Sequence, residues 1–228
     1  MHYVMSDLHG CYDLYEKMLK KIRFCDEDTL FFLGDAADRG PEGIRIILDF
    51  LGRSNVLPLL GNHEDMFRHA VRSVNAQLSF FGRYSVRRNF WNWTENNGGD
   101  ITWQAYCALP ENERIAIARW LEDLPLYQEV CVGGKTFLLA HAGVGSFVPE
   151  KKLSVCTSHD FIWGRMDYTQ VYYQNRYLVT GHTPTVIIDP AARGRIWHGN
   201  NHIAVDCGAV FFGTLGCLCL DTMEEYYV

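Results

Sequence analysis

Six residues spread over the chain, Asp7, His9, Asp35, Asn62, His141 and His182, carry oxygen or nitrogen donors of the kind that hold divalent cations. Each follows a short apolar run of strand type. The run over 3–5 leads into Ser6-Asp7-Leu8-His9-Gly10, that over 30–33 into Gly34-Asp35, and that over 56–60, with Pro58 inside it, into Gly61-Asn62-His63-Glu64. Farther on, the run over 137–140 meets His141, and that over 177–180 meets Gly181-His182. Asp7 and His9, two positions apart, point to one side of an extended chain. With no thiolate among them, the donors suit manganese, iron or zinc, and six suffice for two ions if one carboxylate bridges. Paired cations are suited to hydrolysing phosphate esters, because they lower the pKa of bound water and cancel charge on the phosphoryl oxygens. Arg39, in Gly34-Asp35-Ala36-Ala37-Asp38-Arg39-Gly40, and Arg165, in Trp163-Gly164-Arg165, would grip the remaining oxygens with forked hydrogen bonds.

The intervening segments must position these ends. Leu14, Met18 and Ile22 recur at helical spacing, with Asp13 near the start and Lys17, Lys20 and Lys21 toward the end, as the helix dipole favours. Pro41 suits a first helical position, and Ile44, Ile47, Leu48 and Leu51 continue the apolar stripe. Strand and helix alternating over the first 60 residues predict parallel pairing with right-handed crossovers, and ligands at the carboxyl ends of the strands. From about 75 to 125 this rhythm breaks. That stretch is rich in Trp and Arg, holds Asn96-Asn97-Gly98-Gly99-Asp100, and contains one expected helix over 111–124 closed by Pro125. No Pro/Gly/Ser-rich linker flanks it, so it reads as a helical elaboration of a single domain over 1–228. Beyond it, 126–132 and 135–140 flank Gly133-Gly134 as a hairpin, and 203–206 and 216–220 read as strands.

Composition narrows the classes. A net charge of −6 in 228 residues argues against a general nucleic-acid or anionic-membrane binder. No run of about 18 apolar residues occurs, and the opening residues lack a basic-then-apolar leader, so neither a membrane span nor a secretory signal is expected. The 8 cysteines contain no C-x-x-C pair and read as free thiols filling a core in a reducing cytoplasm. Gly134-Lys135-Thr136 resembles the end of a phosphate loop but lies in the hairpin. Of the other polar candidates, Asp206 reads as structural, Arg83, Arg87 and Arg88 as a solvated face, and His2, His69, His159, His198 and His202 belong to no motif. The Trp-rich stretch reads as packing and not as a stacking platform for bases.

Asp7-Leu8-His9-Gly10, the Gly34-to-Gly40 motif and Gly61-Asn62-His63-Glu64 together resemble the metal-dependent serine/threonine phosphoprotein phosphatases of the calcineurin-like metallophosphoesterase superfamily. His141-Ala142-Gly143, Trp163-Gly164-Arg165, Gly181-His182-Thr183-Pro184 and the 93–106 stretch look most like its compact bacterial and phage branch. The resemblance covers most of the chain in order. It implies an α/β sandwich of two mixed β-sheets packed face to face and flanked by helices. It further implies that Asp7, His9, Asp35 and His182 hold one metal and Asp35, Asn62 and His141 the other, with manganese expected for this branch. His63 would be the general acid paired to Asp38, with Arg39, Arg165 and Asn62 contacting phosphate. The implied reaction is direct in-line attack by a metal-bridging hydroxide on phosphorylated protein substrates. A sibling reading is a symmetrical dinucleoside polyphosphate hydrolase, which shares the metal motifs but tends to carry a non-acidic residue before the Arg, where this chain has Asp38. An inactive phosphopeptide-binding module would be expected to have lost a ligand or the proton donor, and none is missing.

Overall fold

The computed structural model describes residues 1–74, 87–145 and 148–228; residues 75–86 of the elaboration, Arg83 among them, lie outside this set. Strand alternation builds its layers. In β1 (His2–Met5) Val4 faces one cluster and Tyr3 and Met5 another; in β2 (Thr29–Phe32) Phe31 and Leu30/Phe32 divide the same way. Two faces, both buried, follow from the period of two. Val4, Phe31 and Leu59 meet Phe137, Leu139, Val179 and Ile203 from the opposite sheet, forming the core between the sheets. Tyr3, Met5, Leu30 and Phe32 instead share a cluster with Tyr15 and Met18 of α1 (Tyr12–Ile22) and Ile44, Ile47 and Phe50 of α2 (Gly43–Leu51). Burying each such large side chain stabilises the fold by about 1.5–3 kcal/mol.

The first sheet runs β10-β9-β1-β2-β3, with β3 at Val56–Pro58, β9 at Gly216–Cys219 and β10 at Glu225–Tyr227. The second runs β4-β5-β6-β8-β7, with β4 at Tyr127–Val132, β5 at Lys135–Ala140, β6 at Tyr177–Thr180, β7 at Trp197–Gly199 and β8 at His202–Ala204. Strands β1, β2 and β3 pair in parallel as the alternation predicts, and so do β5, β6 and β8, which spacing had not indicated. The remaining pairs are antiparallel, so both sheets are mixed. Pro58 is tolerated because β3 is an edge strand and ends there, sooner than the apolar run suggested. The second helix starts at Gly43 instead of Pro41, after a turn in which Gly40 N–H donates to the His9 carbonyl at 3.0 Å.

After α3 (Asn62–Val74), the described part of the elaboration contains α-helical residues 87–91 running into a π-helical turn at Asn92–Asn96, then α4 (Asp100–Cys107) and α5 (Glu111–Asp123). Its Trp93, Tyr106, Ile117 and Leu121 join Phe67 in the outer apolar cluster. The cysteine expectation holds only in part: Cys207, Cys217 and Cys219 are buried, whereas Cys25, Cys107 and Cys131 are exposed thiols. Among the described residues, no helix is long and apolar enough to cross a membrane.

Candidate metal centre

The loops leaving β1 and β2 stay laced together past the strands. Asp7 N–H donates to the Gly34 carbonyl at 3.0 Å, His9 N–H to Asp35 at 2.9 Å and Gly10 N–H to Ala36 at 2.9 Å. Across the sandwich, the His182 N–H donates to Asp7 Oδ2 at 2.9 Å, and His141 Nδ1 donates to the Leu33 carbonyl at 2.7 Å. These two bonds bring the strand ends of both sheets to one place. Asp7, His9, Asp35, Asp38, Arg39 and His182 all have φ between +42° and +71°, a region that side chains beyond glycine seldom adopt. At Gly181 even a Cβ is excluded, since it would stand 2.2 Å from Asp7 Oδ2.

The donors form two clusters that share one carboxylate. His9, Asp35 and His63 make one, Asp35, His141 and His182 the other, with ligand atoms within 4.8 Å of one another in each. Asp35 Oδ2 lies 3.5 Å from His9 Nε2, and its Oδ1 lies 3.5 Å from His141 Nε2. Asn62 Oδ1 is 2.8 Å from His141 Nε2 and 2.9 Å from His182 Nδ1. This grouping differs from the division the resemblance implies: the His182 ring stands with Asn62 and His141, and its backbone N–H reaches Asp7. His182 follows β6 of the second sheet, next to β5 that delivers His141, which accounts for the pairing.

These residues fit a pair of divalent cations. His9 and His141 each give Nδ1–H to a main-chain carbonyl, Ala37 and Leu33, making Nε2 the acceptor nitrogen of the neutral ring. The His141 acceptor then faces the acceptor oxygen of Asn62, and His182 Nε2 is buried with no partner. Burial, reinforced by Asp7, pushes the Asp35 and Asp206 carboxyls well above their ordinary range. Burial also pulls His9 well below its usual value and His182 down to about 2, in both cases with neighbouring imidazoles and Arg39 adding repulsion. Crowded carboxylates and acceptors facing acceptors are relieved by positive charge placed between them.

Around the donors stand the other expected residues. Arg39 contacts His9 Nε2 and, at 3.0 Å, His63 Nε2, while Arg165 donates to Thr183 Oγ1 at 2.8 Å. His63 Nδ1 is 2.6 Å from Asp38 Oδ2, as the resemblance implied. Burial raises Asp38 to about 7 and, with the Arg39 charge, holds His63 well below its ordinary value. Several contributors escaped the sequence reading. Trp93 Nε1 donates to Asp38 Oδ2 at 2.6 Å, and Asp38 N–H donates to Thr102 Oγ1 at 2.9 Å, so the elaboration holds the Asp38 carboxylate as well as packing. Glu64 accepts from the N–H groups of Asp35, Ala36 and Gly61 at 2.7, 2.8 and 3.1 Å, pinning the Asp35 loop. Its place inside the third motif was the available signal. The site opens into a cleft of about 280 Å³ whose wall includes Asn97, Trp163, Asp206 and Phe211. Asp206 thus faces the cleft in addition to its structural bond, Oδ1 accepting Gly208 N–H at 2.9 Å. Arg87 and Arg88 are exposed, as a solvated face would be.

Two mixed sheets whose strand ends converge on a shared carboxylate define the class, and the family model of calcineurin-like phosphoesterases matches residues 3–205. The chain belongs to that family. Among its relatives, the asymmetrical bis(5′-nucleosyl)-tetraphosphatase PrpE of Geobacillus sp. (strain WCH70) is 27% identical over 93% of this chain and 87% of its own. A solved structure provisionally described as a diadenosine tetraphosphatase has a TM-score of 0.65 at 17% identity, covering 100% of this chain and 92% of that one. A protein serine/threonine phosphatase from Saccharomyces cerevisiae has a TM-score of 0.56 at 13% identity, covering 100% of this chain and 78% of its own, and shares the fold.

Proposed function

We propose that this metallophosphoesterase hydrolyses dinucleoside polyphosphates, cutting a phosphoanhydride off centre to release a nucleoside monophosphate and the longer nucleotide. The two-cation chemistry rests on one observation, the Asp35 carboxylate shared between two donor clusters beneath Arg39 and Arg165. Relatives matching nearly the whole chain and named as asymmetrical tetraphosphatases favour a nucleotide over the phosphoprotein expected from the motifs. Their names also favour an asymmetrical cleavage over the symmetrical one of the sibling reading.

Asp7, His9 and Asp35 would hold one divalent ion, and Asp35, Asn62, His141 and His182 the other. When bound, such ions supply an activated water and neutralise charge on the phosphoryl oxygens. Arg39 and Arg165 orient the phosphate chain through planar, always-charged donors. Asp38, steadied by Trp93, takes the Nδ1 hydrogen bond and fixes the His63 ring at the cleft, where Nε2, once protonated beside the bound phosphate, would hand its proton to the departing oxygen. His63→Asn is then expected to keep metal content while lowering turnover most for poor leaving groups. Equal rates on alkyl phosphates would remove His63 from that role.

A second reading, phosphoprotein phosphatase, is favoured by Asp38, the acidic residue before the Arg. Metal-reconstituted protein should be given diadenosine tetraphosphate, a phosphoserine peptide and an aryl phosphate, and kcat/KM compared. The proposal expects the dinucleotide to lead, yielding equal amounts of AMP and ATP. Two ADP would overturn the asymmetry, and preference for the peptide would overturn the substrate.

A further inference from the structure

Phe211 is the least expected member of the cleft. It lies in the short helix Ala209–Phe212, which is entered through Gly208 at φ +79° and tied back to the site by Asp206. Although it lines the same cleft as Asp7, His9 and Asp35, the residue is 57% exposed. Ile187, 69% exposed, and Pro184 line that cleft too. A single exposed apolar side chain on a surface is ordinary, but an aromatic and an aliphatic one at the margin of an anion-binding cleft give that cleft two chemistries. Arg39 joins them: its guanidinium reaches His9 and His63 and also stands over the Phe211 ring, 5.2 Å from the centroid.

We propose that Phe211, bordered by Ile187 and Pro184, is a stacking shelf for one nucleobase of the substrate, the specificity element that selects a nucleoside polyphosphate over other phosphate esters. This rests on the nucleotide reading above and deepens it. The ligand that matches both chemistries carries phosphate at one end and a flat, weakly polar ring at the other. A phosphoserine side chain supplies the first alone. A base laid on an aromatic ring gains affinity whatever its identity, since every base has a π-face. The shelf therefore predicts selection for a base without strong choice among bases. The Arg39–Phe211 contact would couple the two ends of the substrate, because the cation that grips phosphate also packs on the ring under the base.

The test uses the metal-loaded chain and its Phe211→Ala and Phe211→Trp variants, with thermal melts to show that each is folded. Two measurements are made: kcat/KM on diadenosine tetraphosphate against inorganic tetraphosphate, and calorimetric binding of AMP against ribose 5-phosphate. The wild-type chain is expected to bind AMP more tightly than ribose 5-phosphate. Phe211→Ala is expected to lower kcat/KM for the dinucleotide by roughly 5- to 150-fold while leaving that for tetraphosphate nearly unchanged, with Phe211→Trp restoring most of the loss. Equal losses on both substrates would mean that Phe211 only steadies Arg39, and would overturn the shelf while leaving the dinucleotide activity standing. So would a wild-type chain that hydrolyses the dinucleotide but binds AMP no better than ribose 5-phosphate. A wild-type chain that turns over phosphopeptide and not the dinucleotide would defeat the functional reading, and the shelf with it.

Discussion

The two sheets are built alike and contribute differently. Each has five strands with a parallel trio inside it, β1-β2-β3 in one and β5-β6-β8 in the other. The loops after the first trio bring Asp7, His9, Asp35 and Asn62, mostly oxygen donors on a backbone knotted by Glu64 and by bonds between loops. The second trio brings the imidazoles of His141 and His182, and then Asp206 at the cleft wall. The first sheet supplies most of the oxygen donors and the second the imidazoles of His141 and His182, so the proposed pair of cations would draw on both. What makes one centre of them is the pair of cross-sheet bonds from His141 to Leu33 and from His182 to Asp7.

Substitutions that act on one sheet, on both, or on the helical wall can break this comparison. The largest effect is expected at Asp35, the residue common to both clusters. Asp35→Asn should lower kcat/KM by on the order of 10³-fold or more and leave fewer than two ions per chain by elemental analysis; a variant that keeps both would show that the carboxylate does not bridge. His9→Ala and His182→Ala should each cost about 10²-fold and remove one ion, in separate clusters. If His182→Ala emptied the His9 cluster first, the proposed grouping would fall. Trp93→Phe preserves most of the packing against Phe67, whose ring lies 5.4 Å away, and deletes the N–H that holds Asp38. A fall of roughly 10-fold in kcat with metal content intact is expected, and an unaltered kcat would return Trp93 to a packing role.

The smallest effect lies in the second sheet, away from the donors. His202 is buried, with Nε2 2.8 Å from Thr180 Oγ1, Nδ1 unpartnered and its ring on Tyr168, 4.8 Å between centroids. Burial lowers its pKa to about 3, against roughly 6.5 in the unfolded chain. The unfolded chain therefore takes up a proton first. The associated stability is complete above about pH 6.5 and is lost as the pH falls toward 3. Denaturant titrations should show a shallower acid limb for His202→Gln than for wild type. Parallel limbs would mean that His202 does not contribute to the acid sensitivity.

The first sheet was legible because its signals are local. Alternating buried residues, a helix stripe every three or four positions and polar residues after each strand can all be read within 60 residues. The second sheet revealed its hairpin but not its parallel trio, since β5, β6 and β8 are separated by long irregular segments with no helical period to announce a crossover. The motif containing Glu64 was visible, but the hydrogen bonds it accepts from the Asp35 and Ala36 N–H groups were not, because they join positions brought near only when β2 and α3 pack.

The types of the donors, their place at strand ends and the chemistry they permit were thus determined by the sequence, since residue identity and short-range periodicity are properties of the chain. Which donors share a cluster, why Trp93 belongs to the site and where Phe211 stands were decided by tertiary structure. Those neighbours depend on how two twisted sheets meet across a buried core, a relation between distant segments that local spacing does not encode.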